Sequence, residues 1–215
     1  MFIGHYAAAL AAKGIEPRAP LWTYIAAAQV LDVGWSSLVL AGVEKFEIDP
    51  SLPGNVMNLY HMPWSHSLPA AVIWSVAAAL LAGWALKLPR RAATMIGLVV
   101  FSHWFLDFLV HRPDLALWIG GPKVGLAWWN FPVAEQAVEI GLLAVAGAIW
   151  SYRRGQQGLA AWGAPGFIAL MMAIQVYGMF FPPASVVAMG LITLAVYLGL
   201  TLVAAWIDRR DARPA

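Results

Sequence analysis

The chain has 215 residues and not one cysteine. That excludes disulfides, thiolate metal sites and thiol nucleophiles, and leaves histidine and carboxylate as candidate ligands. Charge is scarce too: 11% of residues are Asp, Glu, Lys or Arg, against about 25% in an ordinary soluble domain. A net charge of +2, scattered along the chain, offers no surface for nucleic acid. The first basic residues, Lys13 and Arg18, follow the first apolar run, so no cleavable signal peptide is expected. Neither a repeat nor a linker divides residues 1–215 into more than one domain.

What is present is apolar. Hydrophobic residues make up 61% of the chain, and the mean hydropathy is +0.71. Twelve tryptophans suit a protein with aromatic residues at lipid–water boundaries. The expected fold is an all-α integral membrane protein in the lipid bilayer, with six transmembrane helices and a short N-terminal half-helix. The half-helix covers 1–12; at about 18 Å it is too short for a hydrocarbon core of about 30 Å. It should be re-entrant or interfacial, stopped by Gly14, Pro17 and Pro20. The spans fall at about 21–43, 66–87, 91–110, 132–152, 159–181 and 184–207, with long loops after the first and third.

Basic residues alternate in the links. Lys13, Arg18, Lys87, Arg90, Arg91, Arg153, Arg154, Arg209, Arg210 and Arg213 fall on one side, and Lys45, Arg112 and Lys123 on the other. Ten against three places both chain ends in the cytoplasm.

Within this frame His103, Asp107 and His111 stand at i, i+4 and i+8, within roughly 80° of helical arc. Two imidazoles and a carboxylate on one stripe are how a helix offers ligands to a divalent metal. The bland alternative is that each is separately hydrogen-bonded inside the bundle. Depth argues for a shared site. From the cytoplasmic anchors, His103, Asp32, Glu139 and Asp107 lie about 18 to 24 Å up their spans. His5 reaches the midplane if the half-helix dips inward from Lys13, and His66 sits at an outer helix end. The candidate metal ligands are therefore His5, Asp32, His66, His103 and Asp107. His111, one turn further out, either supports a ligand from behind or binds a second metal.

Nitrogen and oxygen donors with an open position suit zinc, with manganese or ferrous iron close behind. A metal-activated water would attack an ester or phosphoester. Glu135 and Glu139, at i and i+4, are the candidate general bases, or else protonated carboxyls bonded to a neighbouring helix. Ser67 follows His66 directly and should not face it. Asn130 and Trp129 read as a helix cap and an interface marker. Arg112 and Asp114 read as a loop ion pair or a phosphate-binding site, and Gln175 as a polar contact between helices.

These residues carry a resemblance. Gly4-His5, Asp32, Trp64-Ser65-His66-Ser67-Leu68 and Ser102-His103-Trp104-Phe105-Leu106-Asp107 resemble the DUF457 family over roughly residues 1–115. These are bacterial inner-membrane proteins labelled membrane-bound metal-dependent hydrolases, the YdjM type among them. The resemblance implies that His5, Asp32, His66, His103 and Asp107 are metal-site positions. Two departures stand out. Val33-Gly34-Trp35 follows Asp32 where the family usually has an Asp-x-Asp-His cluster. Met62-Pro63-Trp64 stands where a basic residue and Gly commonly precede Thr-His-Ser.

Three functions follow. The leading expectation is a metal-dependent hydrolase acting on a lipid or lipid-linked ester from the outer half of the membrane. The alternative is a small ion- or proton-coupled transporter using the same buried His and Asp residues. A b-type haem protein with paired axial histidines is the third, opposed by Asp32 and Asp107 in the same layer.

Overall fold

The computed structural model describes residues 1–212. Arg213, counted above with the basic residues, lies outside the described residues. Among them are eight α-helices and two small hairpins.

The first helix, α1 (Ile3–Ile15), is rich in alanine, and its small side chains let neighbours approach from nearly every side. It packs on later helices all round, and His5, Tyr6, Leu10 and Gly14 are buried. The helix runs over Ile3–Ile15 instead of 1–12, and its burial disagrees with the interfacial placement while leaving the re-entrant one in place. Gly14 does not stop the helix; it packs against Ile149 and Trp150, and the helix ends before Pro17. The N-terminal nitrogen of Met1 is buried beside Asp107, so the first residue lies inside the bundle.

The expected first span is broken. Helices α2 (Leu21–Ala28) and α3 (Val30–Leu40) meet at Gln29 with a bend of 50°. The first long loop holds a hairpin, β1 (Lys45–Ile48) against β2 (Met57–His61), antiparallel. Helix α4 (Leu68–Trp84) starts where Ser67 Oγ accepts the Ala70 N–H and Pro69 occupies the first turn. It has 17 residues, shorter than the expected 66–87, or about 25 Å.

Helix α5 (Arg90–Val110) crosses α4 closely at Gly97. A Cβ there would meet the Ser75 carbonyl oxygen at 2.9 Å and Ala79 Cβ at 3.0 Å, so only glycine fits this small-residue crossing. The second long loop folds back on the end of α5 as a hairpin, β3 (Leu115–Ala116) with β4 (Lys123–Val124). At Gly125 a side chain would collide with the carbonyls of His111 and Arg112. Helix α6 (Pro132–Gln156) opens on proline and runs a turn past the expected end, taking Arg153 and Arg154 into the helix. Helices α7 (Gly163–Phe180) and α8 (Val186–Asp211) follow, separated by Pro182-Pro183.

Helices α5 to α8 are each long and apolar enough to cross a membrane, and the bent α2–α3 pair passes the same test as one unit. Their outward residues agree: Leu98, Val133, Phe180 and Leu202 are large, apolar and exposed. Such a surface is stable facing lipid and costly facing water.

Charged groups gather at one end. Glu16 pairs with Arg18 (2.6 Å) and Arg91 (3.3 Å). The hydrogen bond from Arg18 holds the Glu16 carboxyl down to about 2. Asp208 accepts from the N–H groups of Leu21 and Trp22, and Arg154 pairs with Asp211. The ends of α1, α6 and α8 and the starts of α2 and α5 therefore share a face, opposite the hairpins.

Candidate metal centre

Four elements meet in the middle of the bundle. His5 sits in the first turn of α1, Asp32 just past the break into α3, His66 ahead of α4, and His103 and Asp107 in the last two turns of α5. His111 caps that helix. The structure brings all six together. His66 Nε2 lies 3.3 Å from Asp32 Oδ1 and 3.5 Å from Asp107 Oδ2. His103 Nε2 lies 3.4 Å from Asp32 Oδ1 and 3.1 Å from Asp107 Oδ2. On the other oxygen, Asp107 Oδ1, His5 Nε2 approaches to 3.1 Å and His111 Nε2 to 3.4 Å. The Met1 nitrogen is 3.3 Å from the same oxygen. Only Asp32, with 16% of its side chain exposed, is reached from outside.

The far side of each ring fixes what the near side offers. His103 Nδ1 lies 2.7 Å from the Ala28 carbonyl, which can only accept, so Nδ1 carries the proton. His111 Nδ1 donates in the same way to Asp114 Oδ1 at 2.9 Å. For His66 the link has two steps. Ser65 Oγ donates its single proton to Glu44 Oε2 (2.6 Å), so it accepts from His66 Nδ1 (2.7 Å). In all three histidines Nε2 is then the nitrogen turned toward Asp107, and in the neutral imidazole it is a free lone pair. An imidazole held from behind by a carboxylate or carbonyl is the usual support of a metal-binding histidine.

These groups fit a cation. His103 Nε2, Asp107 Oδ2 and both nitrogens of His5 are buried without a hydrogen-bond partner. Donors at about 2.0–2.1 Å from a tetrahedral zinc lie about 3.3–3.4 Å apart, the spacing found around Asp32, His66, His103 and Asp107. The buried His and Asp group can hold a metal ion.

The two glutamates stand differently. Glu139 accepts from the N–H groups of Phe2 (3.0 and 3.2 Å) and Gly4 (3.0 Å), capping α1 and so placing His5. Glu135 accepts from Gln136 Nε2 at 2.8 Å, and Gln136 in turn accepts from Gln175 at 2.8 Å. Gln175 is thus the expected contact between helices. Arg112 reaches Asn130 Oδ1 and the Pro53 carbonyl, stitching the two long loops together, while Asp114 serves His111 instead of Arg112. Ser67 bonds Pro63 and caps α4.

Four supporting groups went unread in the sequence: Glu44, Ser65, the Ala28 carbonyl, and Tyr197, whose hydroxyl donates to Asp32 Oδ2 at 2.8 Å. Tyr197, between Thr193 and Thr201 on an otherwise apolar stretch, carried the one available signal. No protein-family model, curated protein or solved structure matches the chain.

Proposed function

We propose that the chain is a membrane-embedded metal-dependent hydrolase acting on a lipid or lipid-linked ester or phosphoester from the outer half of the membrane. Asp32, His66, His103 and Asp107 hold a divalent cation, with zinc preferred to manganese or iron. The observation that carries this is the orientation of three imidazoles, each with Nδ1 committed to an acceptor and Nε2 facing a carboxylate oxygen at 3.1–3.5 Å. With the imidazoles neutral, this sets lone pair against lone pair in a dry interior, which is repulsive. A divalent cation between them reverses the sign.

Such a cation supplies Lewis acidity and a water acidic enough to act near neutral pH. The chain supplies the rest. Tyr197 and the break at Gln29 orient Asp32, the partly exposed member at which substrate enters. Glu139 is occupied as the cap of α1, which makes Glu135 the better proton acceptor of the pair.

In the same reading the bent α2–α3 pair and the short α4 join α5 to α8 as six spans. The charged end faces the cytoplasm of a bacterial inner membrane, and the chain is a member of the DUF457 family. The supports are the ten-to-three distribution of basic residues and the motifs around His5, Asp32, His66 and His103. The transporter reading draws on the broken helix and on a short helix ending at a polar centre.

One experiment separates the two. Protein reconstituted with zinc into lipid vesicles is followed for headgroup release and for ion movement, beside an Asp107→Ala variant. Metal-dependent cleavage lost in the variant is expected. Metal-dependent flux without cleavage of any lipid offered would replace the hydrolase with the transporter.

A further inference from the structure

We propose that Asp107 bridges two cations, its Oδ1 forming a second metal centre with His5 and His111. The inference rests on the hydrolase reading for its first centre, made by Asp32, His66, His103 and Asp107 Oδ2.

The two oxygens of Asp107 have separate neighbours. Oδ2 faces His66 and His103, while Oδ1 faces His5 at 3.1 Å and His111 at 3.4 Å. The first set supplies four donors and the reactive water a fifth, which fills a five-coordinate zinc, so His5 and His111 have no place on it. Yet His111 carries the same mark of a ligand as the others, with Nδ1 given to Asp114 and Nε2 turned inward. His5 is 1% exposed with neither nitrogen hydrogen-bonded, a costly state for a buried imidazole unless an ion takes its lone pair.

The stacking of His5 on His103 decides the count. Their ring centroids are 3.6 Å apart and their planes differ by 2°. An imidazole donates in its own plane. An ion bound well by one ring therefore lies outside the plane of the other, and a single ion between them would sit about 60° out of both planes at a bond length of about 2 Å. Two ions, one in each plane, meet both rings squarely. Their separation would match the ring spacing, close to the roughly 3.5–4 Å of two-metal hydrolytic sites.

A competitor lies beside the same oxygen: a Met1 ammonium, 3.3 Å from Oδ1, supplies the positive charge without a second ion. Elemental analysis and electron paramagnetic resonance of detergent-purified full-length protein, loaded with Mn(II) and freed of excess, distinguish the two. Two manganese per chain with an exchange-coupled signal are expected. The His111→Gln and His5→Gln variants should each retain one manganese and show the uncoupled six-line signal. The wild-type spectrum needs no variant to fold. One manganese per chain in wild type, or two without coupling, overturns the bridged pair and leaves the single-centre hydrolase standing. No bound manganese and no bound zinc overturns both.

Discussion

Glu44→Gln is the sharpest perturbation available, because it changes one proton and almost no volume. Glu44 Oε1 accepts two backbone N–H groups, from Trp64 (2.8 Å) and Ser65 (2.9 Å). A glutamine at this position must keep its carbonyl oxygen there, since its NH2 would meet two donors. The NH2 is therefore forced toward Ser65 Oγ, 2.6 Å from Oε2 in the wild type. Ser65 then accepts where it donated, and its own proton turns to His66 Nδ1. His66 becomes the Nε2–H tautomer and ceases to be a ligand. To regain it, the protein must leave one buried hydrogen bond unmade, which costs about 1–3 kcal/mol. At about 1.36 kcal/mol per decade that is a loss of roughly 5- to 150-fold in metal affinity. Losses of 10–100-fold are typical when a supporting partner of a metal-bound histidine is removed. Competition against a chromophoric chelator measures the affinity, and 15N shifts of labelled histidine report the tautomer. Zinc bound as tightly by Glu44→Gln as by wild type would refute the relay.

Since the chain has no cysteine of its own, single cysteines at Ser51 and Gln157 give a clean test of sidedness. An impermeant maleimide added to intact spheroplasts should label Ser51→Cys and reach Gln157→Cys only after lysis; the reverse pattern would invert the topology. Acid should unpick the charged end. The Glu16 carboxyl is held at about 2 against an ordinary 4.5, so its contribution is complete above about pH 4.5 and fades as pH falls toward 2. Thermal melts across that window should show a flatter acid dependence for Glu16→Gln, whereas parallel curves would remove Glu16 from the account.

Local geometry was legible in the sequence. The stripe of His103, Asp107 and His111 follows from helical spacing alone, and counting rise per residue from basic anchors brought Asp32 to the same layer. The same count brings His5 to that layer once its helix dips inward, the re-entrant of the two placements its length allows, and the structure shows it buried at the centre. The alanines of α1 were the overlooked sign, since they allow close packing on all sides. Glu44 was hidden because it lies twenty-one residues from Ser65, across a hairpin whose register no hydrophobic pattern announces. The break at Gln29 was hidden because residues 21–40 contain no proline and read as one apolar run.

That break shows why fold and site cannot be separated. In a straight helix the carbonyl of Ala28 would accept from the N–H of Asp32, four residues on. The bend ends α2 at Ala28 and leaves its carbonyl in a lipid-surrounded interior, where no bulk water can satisfy it. His103 Nδ1–H provides the donor at 2.7 Å. The same bond that stabilises the bend fixes the tautomer of His103 and aims its Nε2 at Asp107. It also sets Asp32, in the first turn after the break, opposite that nitrogen at 3.4 Å. Were residues 21–40 one straight span, the carbonyl would be spent on Asp32 itself and His103 would have nothing to hold it. An irregular backbone is tolerated at membrane depth where it lines a polar centre; here the irregularity aims His103 and Asp32 at that centre.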